Sequence, residues 1–355
     1  MGVFAEMTGR GHERVLFGQD AESGLRCIIA IHSTELGPAL GGTRFYPYVD
    51  EAAALEDVLR LSRAMTLKNA AAGLDLGGGK AVVIGDPKTL KGERLLRALA
   101  RMVNALGGRY LTAEDVGMTL ADMDLMRRET RWVTGGSIES GGSGDPSPVT
   151  ARGLFLALRA AAEAKWGSPD VAGKHVVIQG IGKVGYAYAR HLAGAGCRLT
   201  VTDYNTEAAD RARNEFGAAV VSPGSEFDVE CDVFAPCALG AQLNADTIPR
   251  LQCGLVCGSA NNQLAADADG LRLSQRGILY APDFVVNAGG VINIFEELQP
   301  EGYSQERALA RVDAIYDRTA AILARAKEHE ILPVAAAEEV AQERIATVSD
   351  LRRRL

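Results

Sequence analysis

A chain of 355 residues with 47% hydrophobic residues, 23% charged residues and a net charge of −7 has the makeup of a soluble globular protein of about two domains. The acidic balance, broken only by the basic run Arg352-Arg353-Arg354 at the tail, argues against nucleic acid or an anionic membrane as a partner. No apolar run approaches the ~18 residues needed to span a bilayer, and no charged segment followed by an apolar block marks a signal peptide.

Residues 14–19 and 25–31 read as paired strands around the turn Glu22-Ser23-Gly24. In the segment Leu36-Gly37-Pro38-Ala39-Leu40-Gly41-Gly42-Thr43-Arg44 that follows, the glycine pair either leaves backbone N–H groups free to meet a carboxylate or makes an ordinary wide turn. Residues 50–67 have helical spacing, with Asp50 as the cap. The helix runs into Met65-Thr66-Leu67-Lys68-Asn69-Ala70-Ala71-Ala72-Gly73-Leu74-Asp75-Leu76-Gly77-Gly78-Gly79-Lys80, where two lysines lie 12 positions apart among residues of packed character. A lysine ammonium normally stays in water. Two of them in a low-dielectric place need an anion, or one must lose its proton. The stretch therefore reads as an anion site beside a tuned lysine, with the glycines allowing close backbone approach or φ > 0. A Walker phosphate loop fails twice, at Leu74 and at Ala81. Two surface lysines snorkelling into water fit the bare pattern equally well.

Lys80 opens a buried strand over 81–85, and a helix follows at 91–106. Tyr110-Leu111-Thr112-Ala113 is a further strand running into Glu114-Asp115-Val116-Gly117. Asp115, just past a strand end, is either a catalytic group or the cap of a helix beginning near Thr119. The stretch 135–148 is nearly all Gly, Ser and Pro and marks a hinge or domain boundary.

After a helix at 149–165, the strand His175-Val176-Val177-Ile178-Gln179 leads into Gly180-Ile181-Gly182-Lys183-Val184-Gly185, a helix, and a strand ending at Asp203, 18 residues after Gly185. Strand, G-x-G-x-x-G, helix, strand and acid at this spacing form a dinucleotide-binding unit. The glycines let the pyrophosphate reach the helix N-terminus. Asp203 would bond the ribose hydroxyls and repel a 2′-phosphate, so NAD is expected rather than NADP. Short apolar segments at 233–235, 255–257 and 278–280 continue a parallel sheet, and polar residues at their ends, Asn261 among them, are placed to meet ligands or to brace loops. Asn287-Ala288-Gly289-Gly290-Val291 is a second candidate hinge, followed by a long helix at 304–328 and a shorter one near 334–345. The six cysteines have neither zinc spacing nor a Cys-x-x-Cys and read as reduced core residues of a cytoplasmic protein, and the five histidines form no metal constellation.

Gly41-Gly42-Thr43-Arg44, the stretch 65–80, Thr112-Ala113-Glu114-Asp115-Val116-Gly117, the 180–185 fingerprint and Tyr280-Ala281-Pro282-Asp283-Phe284-Val285-Val286-Asn287-Ala288-Gly289-Gly290 together resemble the leucine/valine/phenylalanine dehydrogenases of the glutamate-dehydrogenase superfamily, the valine dehydrogenases most of all. The resemblance covers about residues 12–345. It implies an α/β protein of two domains separated by a cleft. One is a substrate domain over 1–140, with a C-terminal helix near 330–355 packing back on it; the other is a doubly wound Rossmann domain over 146–329. It implies NAD-dependent, reversible oxidative deamination of branched-chain L-amino acids to 2-oxo acids and ammonium. Lys68 would hold the substrate carboxylate, Lys80 would activate water, and Asp115 would exchange protons with the substrate nitrogen. Gly41, Gly42, Met65 and Asn261 would help bind substrate, and Leu40, Ala113, Val291 and Ile294 would surround its side chain. Thr150, Ala238, Leu239 and Asn287 would join the fingerprint and Asp203 around NAD. No metal is implied, and the protein is expected to be a homo-oligomer. The rivals are a phenylalanine or glutamate dehydrogenase and a non-catalytic dinucleotide-binding regulator. The four apolar side-chain contacts offer nothing to pair a γ-carboxylate.

Overall fold

The computed structural model describes residues 2–353, so the last tail arginine, Arg354, lies outside the described residues. The chain divides into two compact units, one of residues 1–145, 294–305 and 341–355, the other of residues 146–293 and 306–340.

In chain order the first unit contains α1 (Val3–Arg10), β1 (Arg14–Asp20), β2 (Leu25–Ser33), β3 (Ala39–Leu40), β4 (Thr43–Tyr46), α2 (Glu51–Ala71), β5 (Gly77–Ile84), α3 (Pro87–Leu90), α4 (Glu93–Ala105), β6 (Tyr110–Leu111) and α5 (Leu120–Met126). The strands form one mixed sheet in the order β1-β2-β5-β3-β6, with β4 also paired to β5. Alternation along β5 sends Ala81 and Val83 to one face and Val82 and Ile84 to the other. The first face packs on α4, whose Leu95, Leu96, Leu99 and Val103 recur at helical spacing; the second packs on Ala54, Val58 and Leu59 of α2. Asp50 caps α2 through the Ala53 N–H at 2.7 Å, as its position suggests.

β5 is longer than the sequence pattern implied, because Gly77, Gly78 and Gly79 belong to it. They pair with Ser33 and Ile31 of β2 and with Ala39 and Leu40 of β3. None of the three has a positive φ; what they supply is room, since a Cβ at Gly78 would overlap the backbone of Thr66 on α2. The stretch 135–145, of linker composition, is tied down by side chains: Asp124 and Glu297 accept its N–H groups.

The second unit begins with α6 (Ser147–Trp166) and continues through β7 (His175–Gln179), α7 (Lys183–Gly194), β8 (Arg198–Thr202), α8 (Thr206–Phe216), β9 (Ala219–Val220), β10 (Val233–Pro236), β11 (Leu255–Val256), α9 (Asp267–Gln275), β12 (Leu279–Tyr280), α10 (Asp283–Val286), α11 (Gly289–Phe295), α12 (Gln305–Asp313) and α13 (Ile315–Glu328). Its six strands are all parallel, in the order β12-β11-β10-β7-β8-β9. This is the doubly wound order of dinucleotide-binding domains, with the switch point between β7 and β10. Gly289 allows α11 to lie against α6, where a Cβ would stand 2.6 Å from the Val149 carbonyl oxygen. The helix expected over 304–328 is interrupted at Ala314. The last helix, α14 (Pro333–Arg353), runs well past residue 345 because nothing after Pro333 breaks it. Among the described residues no helix is long and apolar enough to cross a membrane.

Candidate active site

Three parallel segments of the first unit run side by side where the sequence placed its candidates. Leu40 pairs with Gly78 and Thr43 with Ala81, so Gly41 and Gly42 lie opposite Gly79 and Lys80. On the other side Leu40 pairs with Leu111 and Thr43 with Glu114, which sets Gly41 and Gly42 opposite Thr112 and Ala113. The crowding explains the glycine pair: a Cβ at Gly41 would overlap the Gly79 carbonyl, and one at Gly42 would stand 2.9 Å from Cβ of Asp115. The Gly41 N–H is bonded to the Leu111 carbonyl at 3.2 Å, so it is not a free donor for a carboxylate. The Tyr110 hydroxyl donates to the Gly41 carbonyl at 2.6 Å and fixes the row from beneath.

Lys80 shares the α2-facing side of β5 with Val82 and Ile84 and is 6% exposed. Its ammonium is paired with the Asp115 carboxylate. Asp115 is therefore not a helix cap; Thr119 caps α5 itself, in a capping box with Asp122. Burial pushes the Asp115 carboxyl up, but the charges of Lys80 and Arg44 outweigh it and hold the group below the usual carboxylate range. Arg44 Nε lies 3.8 Å from Asp115 Oδ2, and its Nη1 donates to Asp57 at 2.9 Å. Asp57 also accepts from Tyr48 (2.7 Å) and Arg60 (2.9 Å). A chain of alternating charge thus runs from Lys80 through Asp115 and Arg44 to Asp57. Arg44 stood in the sequence within the Gly41–Arg44 motif but was given no role there, because its partners Asp57 and Asp115 are remote in the chain.

Lys68 and Met65, both half-buried, occupy the last turns of α2, and Met65 Cγ is 3.3 Å from where a Gly41 Cβ would stand. Leu40 and Ala113 are each 2% exposed. Ile294 belongs to this unit and stands near Ala113 across Gly135. Asn261 and Val291 belong to the second unit. Asn261 is exposed after β11, and Val291 is buried on α11.

In the second unit Gly180 takes a φ of +97° and abuts Ala238 at the switch point, where a Cβ would stand 2.6 Å from that of Ala238. Gly182, the N-cap of α7, has nothing within 4 Å on its Cβ side, the open approach a pyrophosphate needs. Gly185 packs on the Gly180 carbonyl, Ile181 is buried, Val184 half-buried and Lys183 exposed. Asp203 accepts the N–H of Ile181 at 2.7 Å and of Asn205 at 2.8 Å. Ala238 and Leu239 are exposed beyond β10, and Thr150 is buried with its hydroxyl on the Pro146 carbonyl at 2.9 Å. Asn287 is 4% exposed. Its amide nitrogen donates to Ser259 O (3.1 Å) and Asn261 Oδ1 (2.8 Å), while its own Oδ1 is buried without a partner. An open helix N-terminus, a carboxylate at the next strand end and an unsatisfied amide oxygen fit a dinucleotide.

Residues 12–132 match the Glu/Leu/Phe/Val dehydrogenase dimerisation domain, and residues 141–210 and 198–353 match Glutamate/Leucine/Phenylalanine/Valine dehydrogenase. The chain belongs to this family. It is similar to leucine dehydrogenase of Bacillus cereus, 51% identical over 350 residues covering 99% of this chain and 95% of the relative. It is equally similar to valine dehydrogenase of Streptomyces coelicolor, 52% identical over 339 residues covering 95% and 93%. Among solved structures, L-tryptophan dehydrogenase from Nostoc punctiforme superposes with a TM-score of 0.84 at 42% identity, covering 98% of this chain and 99% of that one. The chain is an amino-acid dehydrogenase, a dinucleotide-dependent oxidoreductase acting on a small molecule.

Proposed function

We propose that the enzyme oxidatively deaminates branched-chain L-amino acids with NAD, giving the 2-oxo acid, ammonium, NADH and a proton. The observation that carries the reading is the buried Lys80–Asp115 pair set beside Gly42 and Ala113, with Lys68 on the helix that covers that face of β5. In this reading Lys68 binds the α-carboxylate. Held by the second unit, NAD would supply the acceptor for the hydride that leaves Cα. Asp115 takes a proton from the amino group before that transfer and returns one to the departing ammonia. Lys80, once its ammonium has released to solvent the one proton the reaction sets free, removes a proton from the water that adds to the imine carbon and so makes it a nucleophile. The pairing of Lys80 with Asp115 keeps both groups in place and neutralised until the substrate nitrogen and water come between them. Arg44 keeps Asp115 in its carboxylate form, which is the form that can accept the first proton.

Leu40, Ala113, Val291 and Ile294 would enclose the aliphatic side chain, with Gly41, Gly42, Met65 and Asn261 completing the substrate contacts. Thr150, residues 180–185, Asp203, Ala238, Leu239 and Asn287 would hold NAD, and the Asp203 carboxylate disfavours a 2′-phosphate. The β1 edge, with Phe17 53% exposed, and the dimerisation domain of the family support a homo-oligomer. A reducing cytoplasm suits six cysteines without a disulfide among the described residues. A panel of L-amino acids assayed with NAD tests the whole reading. Valine, leucine and isoleucine are expected to lead, and a best substrate carrying a charged or indole side chain would reject the pocket.

A further inference from the structure

The chain that follows Ile294 is fastened to the glycine-rich loop after α5 by a buried carboxylate. Glu297 sits in a short helical turn at Glu296–Leu298, and its side chain is 3% exposed. Its Oε1 accepts the N–H groups of Gly135 (2.9 Å) and Ser143 (2.8 Å). Its Oε2 accepts the Gly135 N–H at 3.1 Å and pairs with Arg127. Arg127 donates onward to the Ser140 carbonyl at 3.0 Å, so Glu297 and Arg127 together hold the loop at Gly135, Ser140 and Ser143, while Asp124 holds it at Ser137. Gly135 has a φ of +72°. The nearest atoms to a Cβ placed there are Glu114 N at 3.8 Å, Ile294 Cδ1 at 3.9 Å and Ala113 Cβ at 4.0 Å. Gly135, Ala113 and Ile294 therefore face one small space, and Glu297, one turn beyond Ile294, bonds the backbone of Gly135.

We infer that Glu297 is a positioning residue for specificity: it fixes the separation of Ile294 from Ala113 and Gly135, and with it the length of aliphatic side chain the site accepts. This rests on the proposed reading of Ala113 and Ile294 as walls of the substrate pocket. Apolar residues could fill the volume Glu297 occupies. A carboxylate that accepts two loop N–H groups and pairs with one guanidinium is the arrangement a fixed distance requires.

The test is the ratio of kcat/KM for valine and leucine, side chains that differ by one methylene, measured on a single preparation of each full-length variant. A methylene is worth roughly 10- to 200-fold at most, so a change of about threefold is readable. Glu297→Ala is expected to shift the ratio by at least about threefold, through KM, with the pH dependence of kcat retained because Lys80 and Asp115 are untouched. Glu297→Gln keeps an oxygen for the two N–H groups and is expected to hold the wild-type ratio. If the alanine variant does not fold, Glu297→Asp, one methylene shorter, is read in its place. A fall in kcat for both substrates with the ratio preserved overturns the inference, as does a glutamine variant as altered as the alanine one. Ile294→Ala separates the two layers. If it shifts the ratio and the Glu297 variants do not, only the role of Glu297 falls; if it shifts nothing, the pocket reading fails and takes the inference with it.

Discussion

In the first unit the candidate chemistry rides on side chains, Lys80, Asp115, Arg44 and Asp57, drawn from four separate segments of chain. In the second it rides on backbone, the turn from Gly180 to Gly185, with one carboxylate at the next strand end. The two regions differ in what they must do without a ligand. Buried charges cannot wait unpaired, so each charged group of the first site is also a structural partner of the next. Backbone N–H groups at a helix start face water at little cost, so the second site stays open at Gly182. Substitutions of the charged groups in the first site therefore disturb chemistry and fold together, whereas changes at the open Gly182 end and at Asp203 act chiefly on binding; Gly180 and Gly185, packed against their neighbours, are the exceptions.

The largest effect expected from that contrast is at Lys80. Lys80→Ala should lower kcat by roughly 10²–10⁴-fold, the usual loss for a general base. It also leaves Asp115 without its nearest cation, and breaking a buried pair from one side costs about 3–5 kcal/mol, so the melting temperature should fall as well. Lys68→Ala should act instead on KM, by roughly 10- to 150-fold, because a charge-assisted bond of about 1.5–3 kcal/mol is lost in ground and transition state alike. Both variants should still bind NADH, since neither lysine lies in the second unit. Steady-state kinetics with an NADH fluorescence titration decide the matter. Preserved kcat in the Lys80 variant would remove it from the chemistry.

The same contrast explains what could be read in the sequence. The strand, glycine turn, helix and acid of the candidate dinucleotide site were legible in the sequence, because they are consecutive and their spacing is the geometry. The lysine site was legible only in pieces. Lys68 and Lys80 stood out as lysines among apolar residues, yet the bare pattern allowed two snorkelling surface lysines just as well. Asp115 could equally have been a cap. Register decides: with Gly41-Gly42 between Gly79-Lys80 and Thr112-Ala113, Asp115 can reach Lys80. Arg44 and Glu297 were hidden for the same reason, their partners lying far away in the chain. The strand through Gly77–Gly79 was missed because glycine weakens strands in isolation, and close packing on α2 overrides that preference.

The charged unit should also be the more acid-sensitive where α2 is anchored. His12 is 8% exposed and bonds the Leu59 carbonyl (3.1 Å) and the Ser62 hydroxyl (2.9 Å) through Nε2, while its Nδ1 is buried without a partner. Its ring stands 4.8 Å from that of His32, which bonds Thr66 at 2.8 Å. Burial first, then His32, Arg10 and Arg63, lower His12 to about 4, against some offset from the Leu59 carbonyl. Below the ordinary histidine value of about 6.5 the unfolded chain takes up a proton that the folded chain refuses. Stability is therefore fully present above about pH 6.5, falls as the pH drops through that window, and stops falling near pH 4. At roughly 1.4 kcal/mol per pH unit, the loss between pH 6.5 and about 4 is at most about 3.5 kcal/mol. Opening free energies from amide exchange in α2 should show this slope, and His12→Gln should flatten it. An unchanged slope in the variant would assign the acid response elsewhere.

The smallest expected effect is at the carboxylate of the open site. Asp203 already accepts the N–H groups of Ile181 and Asn205, one on each oxygen. Each carboxylate oxygen has a second lone pair, so a ribose hydroxyl can still be accepted without breaking the turn. Asp203→Ala would confound two effects, since it strands the Ile181 N–H as well as removing charge. Asp203→Asn narrows the confound, because the amide oxygen keeps an acceptor for Ile181 and the change gives up the charge facing a 2′-phosphate together with the single bond to the Asn205 N–H. The NAD-to-NADP ratio of kcat/KM is expected to fall by about tenfold, the equivalent of ~1.4 kcal/mol, mostly through better use of NADP. Thermal stability should stay near wild type, in contrast to Lys80→Ala. A preference that does not move when the charge is removed would mean that Asp203 braces the loop only, and that selection between the two dinucleotides lies in another part of the second unit.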